Sequence, residues 1–594
     1  MGYDAILQYL GDFGPFQRRT ALLLLLGNFQ TGMHIAVMTF IGAIPDHHCR
    51  VADTGLSAYN TTWPEALNFS IPMEEVDGTW RLSSCRRYSS EVISGNFTTT
   101  GCPGDSQHGN LTSACCESRW DYRNGNTTGC TDGWAYDRSQ YHSSVVMQYN
   151  LVCERAWLRE LAQSIFMAGV ATGGFIFGVL SDSCGRHRTL LVCVLLLVTC
   201  GTGLAFTSNL AAFIALRFIL GAAQNGLQFT TLVTGMETIG TSWRMAFGIC
   251  STLCPSVGYA LLGILAYVIR DWWILQLAIT SPGVLSLIAW WFIPESPRWL
   301  LLNNKVEEWR KTIQRIAKYN EIEVPAKMYE YVESSTSGSG SANASGTPGD
   351  SKRNYNLLDL VRTPNMRRIT VTIIFASFNA LCVYVGLLFG TSQLAGSHYV
   401  NFILGACVET VAILTAGVTM QRWGRKPPTV AFSLLAGVSC LATAAIPNDI
   451  GHVATALATV GRFGASSTLA ILDIYCTELF PTVVRHMGVG TTIMVSRVGG
   501  IVAPFLSLLG NVWRPLPLMT LGVLSCVTSM VVTVLPETHD VPLPNTLEDG
   551  ENFGRNSPPS PTRKFNCGAK TFADSRIVYE ERSGDRFVEL ITTV

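Results

Sequence analysis

Charge is scarce in this 594-residue chain. Asp, Glu, Lys and Arg together make up 14% of it, and 42 basic residues balance 42 acidic ones. A zero net charge excludes a nucleic-acid surface as its main business, since that needs a basic stripe. No metal-ligand spacing, nucleophile–base pattern or phosphate-cradling glycine loop can be read along the sequence, so no enzyme and no cofactor are expected. No cleavable signal precedes the first apolar run.

What the chain has is hydrophobic length, with 48% of its residues hydrophobic. Apolar runs of about 20 residues, enough for a helix to cross roughly 30 Å of hydrocarbon, lie near 20–42, 160–180, 189–207, 210–232, 246–268, 272–293, 368–391, 398–420, 428–447, 451–474, 487–510 and 515–535. The expectation is an all-α membrane protein with twelve spans.

Charged signposts recur about 240 residues apart, which marks a duplication. Gly185-Arg186 returns as Gly424-Arg425, Glu237 and Arg244 as Glu478 and Arg485, and Pro294-Glu295 as Pro536-Glu537. Six spans per copy imply two six-helix bundles with a substrate site between them, the parallel repeat of secondary carriers. The chain divides into an N-terminus (1–19), span one (20–42), a long loop (43–159), spans two to six (160–294), a central loop (295–367), spans seven to twelve (368–535) and a tail (536–594).

Arg186, Arg188, Arg244, Arg422, Arg425, Lys426 and Arg485 all fall in short loops on one side, which is read as cytoplasmic together with both termini. The loop 43–159 is then extracellular. It holds Cys49, Cys85, Cys102, Cys115, Cys116, Cys130 and Cys153, and glycosylation sequons at Asn60, Asn68, Asn96, Asn110 and Asn126. A disulfide-stapled, glycosylated cap is expected, with its connectivity open and one cysteine left free, buried as an apolar residue, or bonded to a second chain in a homo-oligomer.

In the central loop, a Ser/Gly-rich linker from 333 to 353 separates two helical pieces, 305–319 and 355–362. Val306, Trp309, Ile313 and Ile316 recur at helical spacing on the first. Residues 541–594 read as mostly disordered, and Thr592-Thr593-Val594 has the form of a PDZ ligand.

The run from Gly178 to Arg188, with Asp182 and Arg186, resembles the loop between spans two and three of the major facilitator superfamily. Further matches narrow the likeness: Phe13 to Gln17, Ile44 to Cys49, Cys130 to Trp134, Pro294 to Trp299, Thr477 to Arg485 and Pro536 to Thr538. Together they resemble the organic cation, carnitine and organic anion transporters of the solute carrier 22 family. The resemblance implies a plasma-membrane carrier of small organic ions working by alternating access. Sodium and proton coupling, exchange and uniport all stay open.

Arg497 in span eleven stands where the cation branch of that family has aspartate. It lies about 18 Å along a helix from Arg485, near the bilayer midplane. An arginine at that depth costs roughly 2.5–3.5 kcal/mol on insertion scales unless it faces water or a negative partner. One reading gives it a substrate carboxylate, the chemistry of carnitine-like zwitterions and organic monoanions; the other pairs it permanently with Glu409 in span eight. Asp473 in span ten is a candidate for a cationic group, or else a helix-end carboxylate paired with a cytoplasmic arginine. With Arg497 locked in an ion pair, Asp473 and Glu409 would instead serve a polyspecific cation carrier. Tyr384 matches an aromatic cavity position of the family, and Gln224, Gln228 and His34 offer neutral contacts or interhelical glue.

Arg497 counts here as the one cavity cation. Asp182, Arg186, Glu237, Arg244, Arg425, Glu478 and Arg485 are expected to gate the cytoplasmic side, with salt bridges across the bundles. A third reading, a receptor or scaffold working through its loop and tail, stays open.

Overall fold

The computed structural model describes residues 3–50, 71–76, 79–88, 127–324, 358–390, 396–447, 450–539, 541, 544 and 546–553. The five glycosylation sequons, Cys102, Cys115, Cys116, the Ser/Gly-rich linker and Thr592 to Val594 lie outside them.

Among the described residues, twelve helices form where the apolar runs predict them, ten of them long and apolar enough to cross a membrane. The first six are α1 (Pro15–Ile41), α2 (Trp157–Cys184), α3 (Arg186–Ala205), α4 (Leu210–Thr238), α5 (Arg244–Val268) and α6 (Trp272–Trp290). The second six are α7 (Pro364–Gly390), α8 (His398–Trp423), α9 (Lys426–Ala445), α10 (Gly451–Leu479), α11 (Arg485–Leu506) and α12 (Leu516–Val532). Pro282 breaks α6 into Trp272–Thr280 and Pro282–Trp290, because a proline supplies no N–H to the preceding turn.

Small residues set the helix spacing. A Cβ on Gly169 of α2 would strike the carbonyl of Phe218 in α4, and one on Gly499 of α11 would strike that of Phe378 in α7. Both pairs can therefore pack backbone to backbone.

The duplicated charges build the same joint twice. Gly185 (φ 105°) and Gly424 (φ 85°) take left-handed conformations open to glycine, and the next residue starts a helix. Glu295 accepts from the backbone N–H of Arg186 at 2.8 Å, as Glu537 does from that of Arg425 at 2.9 Å. A carboxylate thus sits on the positive end of α3 and of α9. Arg186 in turn binds Glu237 at 3.1 Å and Asp182 at 2.9 Å, while Arg425 binds Glu478 at 2.8 Å.

These bridges join residues of one bundle, where the sequence led to the expectation of salt bridges across the two. The reason is local: Arg186 and Glu237 end neighbouring helices of the same bundle, and so do Arg425 and Glu478. Arg244 donates to the carbonyls of Met236 (2.8 Å) and Ile239 (3.2 Å), and Arg485 to Phe480 O (3.1 Å) and Thr482 Oγ1 (3.3 Å).

In the central loop, helices form at Val306–Tyr319 and Asp359–Arg362. Trp309, Ile313 and Ile316 are fully buried and pack with Ile6, Leu10 and Phe16 against the first bundle. The first part of the tail, up to Phe553, is structured. Helix Leu547–Asn552 opens on a Thr546/Asp549 capping box, and Glu551 accepts from Asn365 N at 2.9 Å, holding the segment on α7.

The long loop contributes three two-stranded ribbons, 47–49 with 134–136, 73–76 with 79–82, and 86–88 with 127–129. Disulfides join Cys49 to Cys130 and Cys85 to Cys153. Cys153 begins the turn into α2, so the loop is fastened to the ends of α1 and α2.

Candidate functional site

Among the described residues, the hydrogen bonds and ring contacts between the two bundles fall at mid-depth or toward the disulfide-bearing end. Phe40 of α1 stacks on Tyr399 (5.6 Å) and meets Phe402 edge-on (4.9 Å). Tyr267 of α5 meets Tyr399 (5.6 Å), and Ser164 Oγ of α2 donates to the carbonyl of Ile501 in α11 (2.8 Å). Below these contacts, the exposure of two charged residues points to an open interior chamber. Asp473 is exposed and Arg497 half-exposed although both stand deep among protein atoms, as groups lining such a space must.

Arg497 projects from the middle of α11, two residues before Gly499, whose contact with α7 fixes the face that the arginine presents. Asp473 and the phenols of Tyr259 and Tyr384 lie near enough to feel its charge. No carboxylate lies within 4.0 Å of its guanidinium among the described residues. None of its nitrogens is both buried and unpartnered, so water reaches it.

Glu409 is not its partner. Arg462 of α10 holds Glu409 Oε2 at 2.9 Å, with the two side chains 0% and 5% exposed. Tyr384 donates its hydroxyl to Glu409 Oε1 at 2.8 Å, and Ser256 of α5 donates to the same oxygen at 3.4 Å. Tyr259 Oη lies 3.5 Å from Tyr384 Oη, so Ser256 and Tyr259 of the first bundle meet Glu409 and Tyr384 of the second through polar contacts.

A glycine makes room for this pair. A Cβ on Gly405 would fall on Arg462 Nη1.

The first bundle holds a neutral counterpart. Arg217 of α4 is fully buried, donates to Gln163 Oε1 of α2 at 2.5 Å and lies 4.3 Å over the ring of Phe166. Where the second bundle opposes its buried arginine with a carboxylate, the first offers an amide. Among the described residues, two buried arginines, Arg217 and Arg462, thus stand within the bundles beside the half-exposed Arg497.

His34 and Gln224 are sealed inside the first bundle, where His34 lies 3.5 Å from Gln30; Gln228 is half-buried. Arg217, Arg462, Tyr259 and Ser256 were missed. The two arginines carried a usable signal, since each is an ionisable residue inside an apolar run.

Two duplicated six-helix bundles around a polar chamber, with matched charge joints at one end, define a secondary transporter of the major facilitator type. The family model described as "Sugar (and other) transporter" matches residues 124–548. In backbone the chain is similar to the inward-open xylose transporter XylE of E. coli, with a TM-score of 0.55 at 15% identity, over 89% of this chain and 98% of that one.

The chain belongs to the organic cation and carnitine transporter family, solute carrier family 22. It is 36% identical to the organic cation transporter protein of Drosophila melanogaster over 95% of this chain and 97% of that protein. It is 35% identical to organic cation/carnitine transporter 2 of Homo sapiens (92% and 93%) and 34% identical to solute carrier family 22 member 21 of Mus musculus (92% and 93%).

Proposed function

We propose that this carrier moves small carboxylate-bearing organic ions, carnitine-like zwitterions or monoanions, by alternating access, with Arg497 as the carboxylate receptor. One observation carries the reading: the Arg497 guanidinium is open to the chamber, and the carboxylate that would have neutralised it, Glu409, is held by Arg462. A planar guanidinium offers a carboxylate two parallel donors. Asp473 supplies a negative charge in the same chamber for a trimethylammonium group, and the Tyr384 ring a face for cation–π attraction.

The rival reading is a cation carrier that relies on Asp473, which has no ion pair within 4.0 Å among the described residues. Uptake of labelled carnitine and of tetraethylammonium by wild type and Arg497→Ala separates the two. Loss of carnitine uptake with tetraethylammonium flux retained is expected, and unchanged carnitine uptake in the variant overturns the carboxylate reading. Failure of purified, folded protein in vesicles to give saturable flux of any organic ion favours the receptor or scaffold reading instead.

Orientation follows from two supports. Disulfides Cys49–Cys130 and Cys85–Cys153 suit an oxidising extracellular face, and the arginine-rich joints at the opposite ends suit the cytoplasm. The plasma membrane and cytoplasmic termini are proposed on that basis.

A further inference from the structure

The long loop borders an open cavity of about 1090 Å³, roomy enough for a small-molecule ligand. Disulfide-bonded Cys85 and Cys153 line it together with His47, and none of the three is buried. A ring nitrogen of His47 lies within 4.8 Å of both sulfurs. The ribbon builds that placement: His47 opens the strand 47–49 against 134–136, its ring lies 5.9 Å from that of Tyr136, and its Nδ1 stands 3.0 Å from the carbonyl of Pro45. A carbonyl only accepts, so Nδ1 carries the hydrogen and Nε2 keeps a lone pair for a proton.

The two disulfides differ in what surrounds them. Cys130 reaches the same cavity, but its partner Cys49 is fully buried. At the other bridge both cysteines line the cavity, so an incoming thiol finds either end. Cys153 also holds φ 55°, a left-handed backbone that a residue with a Cβ adopts at a cost. Its bond to Cys85 is one of the ties holding it there. Exposed bridges under strain are the ones that thiols open.

We propose that Cys85–Cys153 is a redox-active disulfide, a site where small thiols of the glutathione class exchange with the bridge while His47 carries the proton. The thiol gives its proton to His47, its sulfur bonds to Cys85 or Cys153, and the bond between the two cysteines breaks. The departing thiolate takes the proton back from His47, leaving a mixed disulfide. A second thiol attacks that mixed disulfide, so two small thiols end oxidised as their own disulfide and Cys85 and Cys153 end reduced as thiols. Opening the bridge unfastens the ribbon 86–88 from the turn into α2, while Cys49–Cys130 still holds the strand 47–49. The loop's grip on α2 thereby becomes sensitive to the thiols around it. This chemistry is independent of what Arg497 binds.

Purified full-length protein is incubated with glutathione and quenched at intervals, and its freed cysteines are alkylated and counted by peptide mass spectrometry. Cys85–Cys153 should open about tenfold or more faster than Cys49–Cys130, the comparison inside the same molecule. That comparison needs no variant, so it holds even where a substitution disturbs the fold. His47→Gln, which keeps a donor for Pro45 but relays no proton, should slow the first bridge about tenfold and leave the second unchanged. Added imidazole should restore the rate in His47→Ala, a rescue that a merely structural role would not show. Equal opening of the two bridges, or an unchanged rate at Cys85–Cys153 in both variants, would overturn the proposal.

Discussion

Arg462 and Glu409 form an ion pair at 2.9 Å inside the second bundle, closed off from water at both ends. Removing one partner of such a pair strands the other charge in low dielectric, at a cost of about 3–5 kcal/mol. Glu409→Gln should therefore lower the unfolding temperature sharply, and Glu409→Leu combined with Arg462→Met should recover most of the loss. Gly405→Ala should mimic part of it, because the added methyl lands on the guanidinium. Thermal unfolding of the purified variants checks all three.

The Tyr259–Tyr384 and Ser256–Glu409 contacts tie the bundles together at mid-depth. Tyr259→Phe removes one hydroxyl and should weaken that tie by about 1 kcal/mol, a several-fold shift in the conformational equilibrium. Spin labels at Trp157 and Trp513, both exposed toward the disulfide end, should then report a larger population of long distances.

The joints around Arg186 and Arg425 face their own bundles and stand apart from the chamber. Substitutions there should slow the conformational cycle without altering recognition. Arg186→Gln and Arg425→Gln are expected to lower the maximal uptake rate several-fold with KM little changed. A large rise in KM with the rate preserved would count against this separation.

Asp473 offers its carboxylate to the same chamber as Arg497. If it receives the cationic end of a zwitterion, Asp473→Asn should raise the KM for carnitine about tenfold while leaving a simple monocarboxylate nearly unaffected, the loss expected for one charge-assisted contact. Paired uptake curves for the two substrates give the comparison.

Much of the architecture was legible because bilayer thickness fixes helix length and duplicated glycine–arginine turns repeat their own geometry. Gly185, Gly424, Glu295 and Glu537 occupy the same roles twice, as their spacing implied. Partner choice among buried charges was not legible. Counting residues along helices put Glu409 and Arg497 at similar depth, but which faces meet depends on the rotation of each helix. That rotation is set by contacts such as Gly405 against Arg462 and Gly499 against Phe378. For the same reason, sequence showed the charges sharing one end, while packing decided that Arg186 and Arg425 each find a glutamate of their own bundle.

The anchor points of the loop carry one more implication. Cys49 and Cys153 root the loop beside the ends of α1 and α2, whereas among the described residues its ring contacts with the other half are those of Tyr141 with Tyr399 and His398. Covalently, the loop is therefore cargo of one rocker and merely leans on its neighbour. An antibody fragment gripping it should ride along harmlessly, while one wedged across Tyr141 and Tyr399 should jam the cycle.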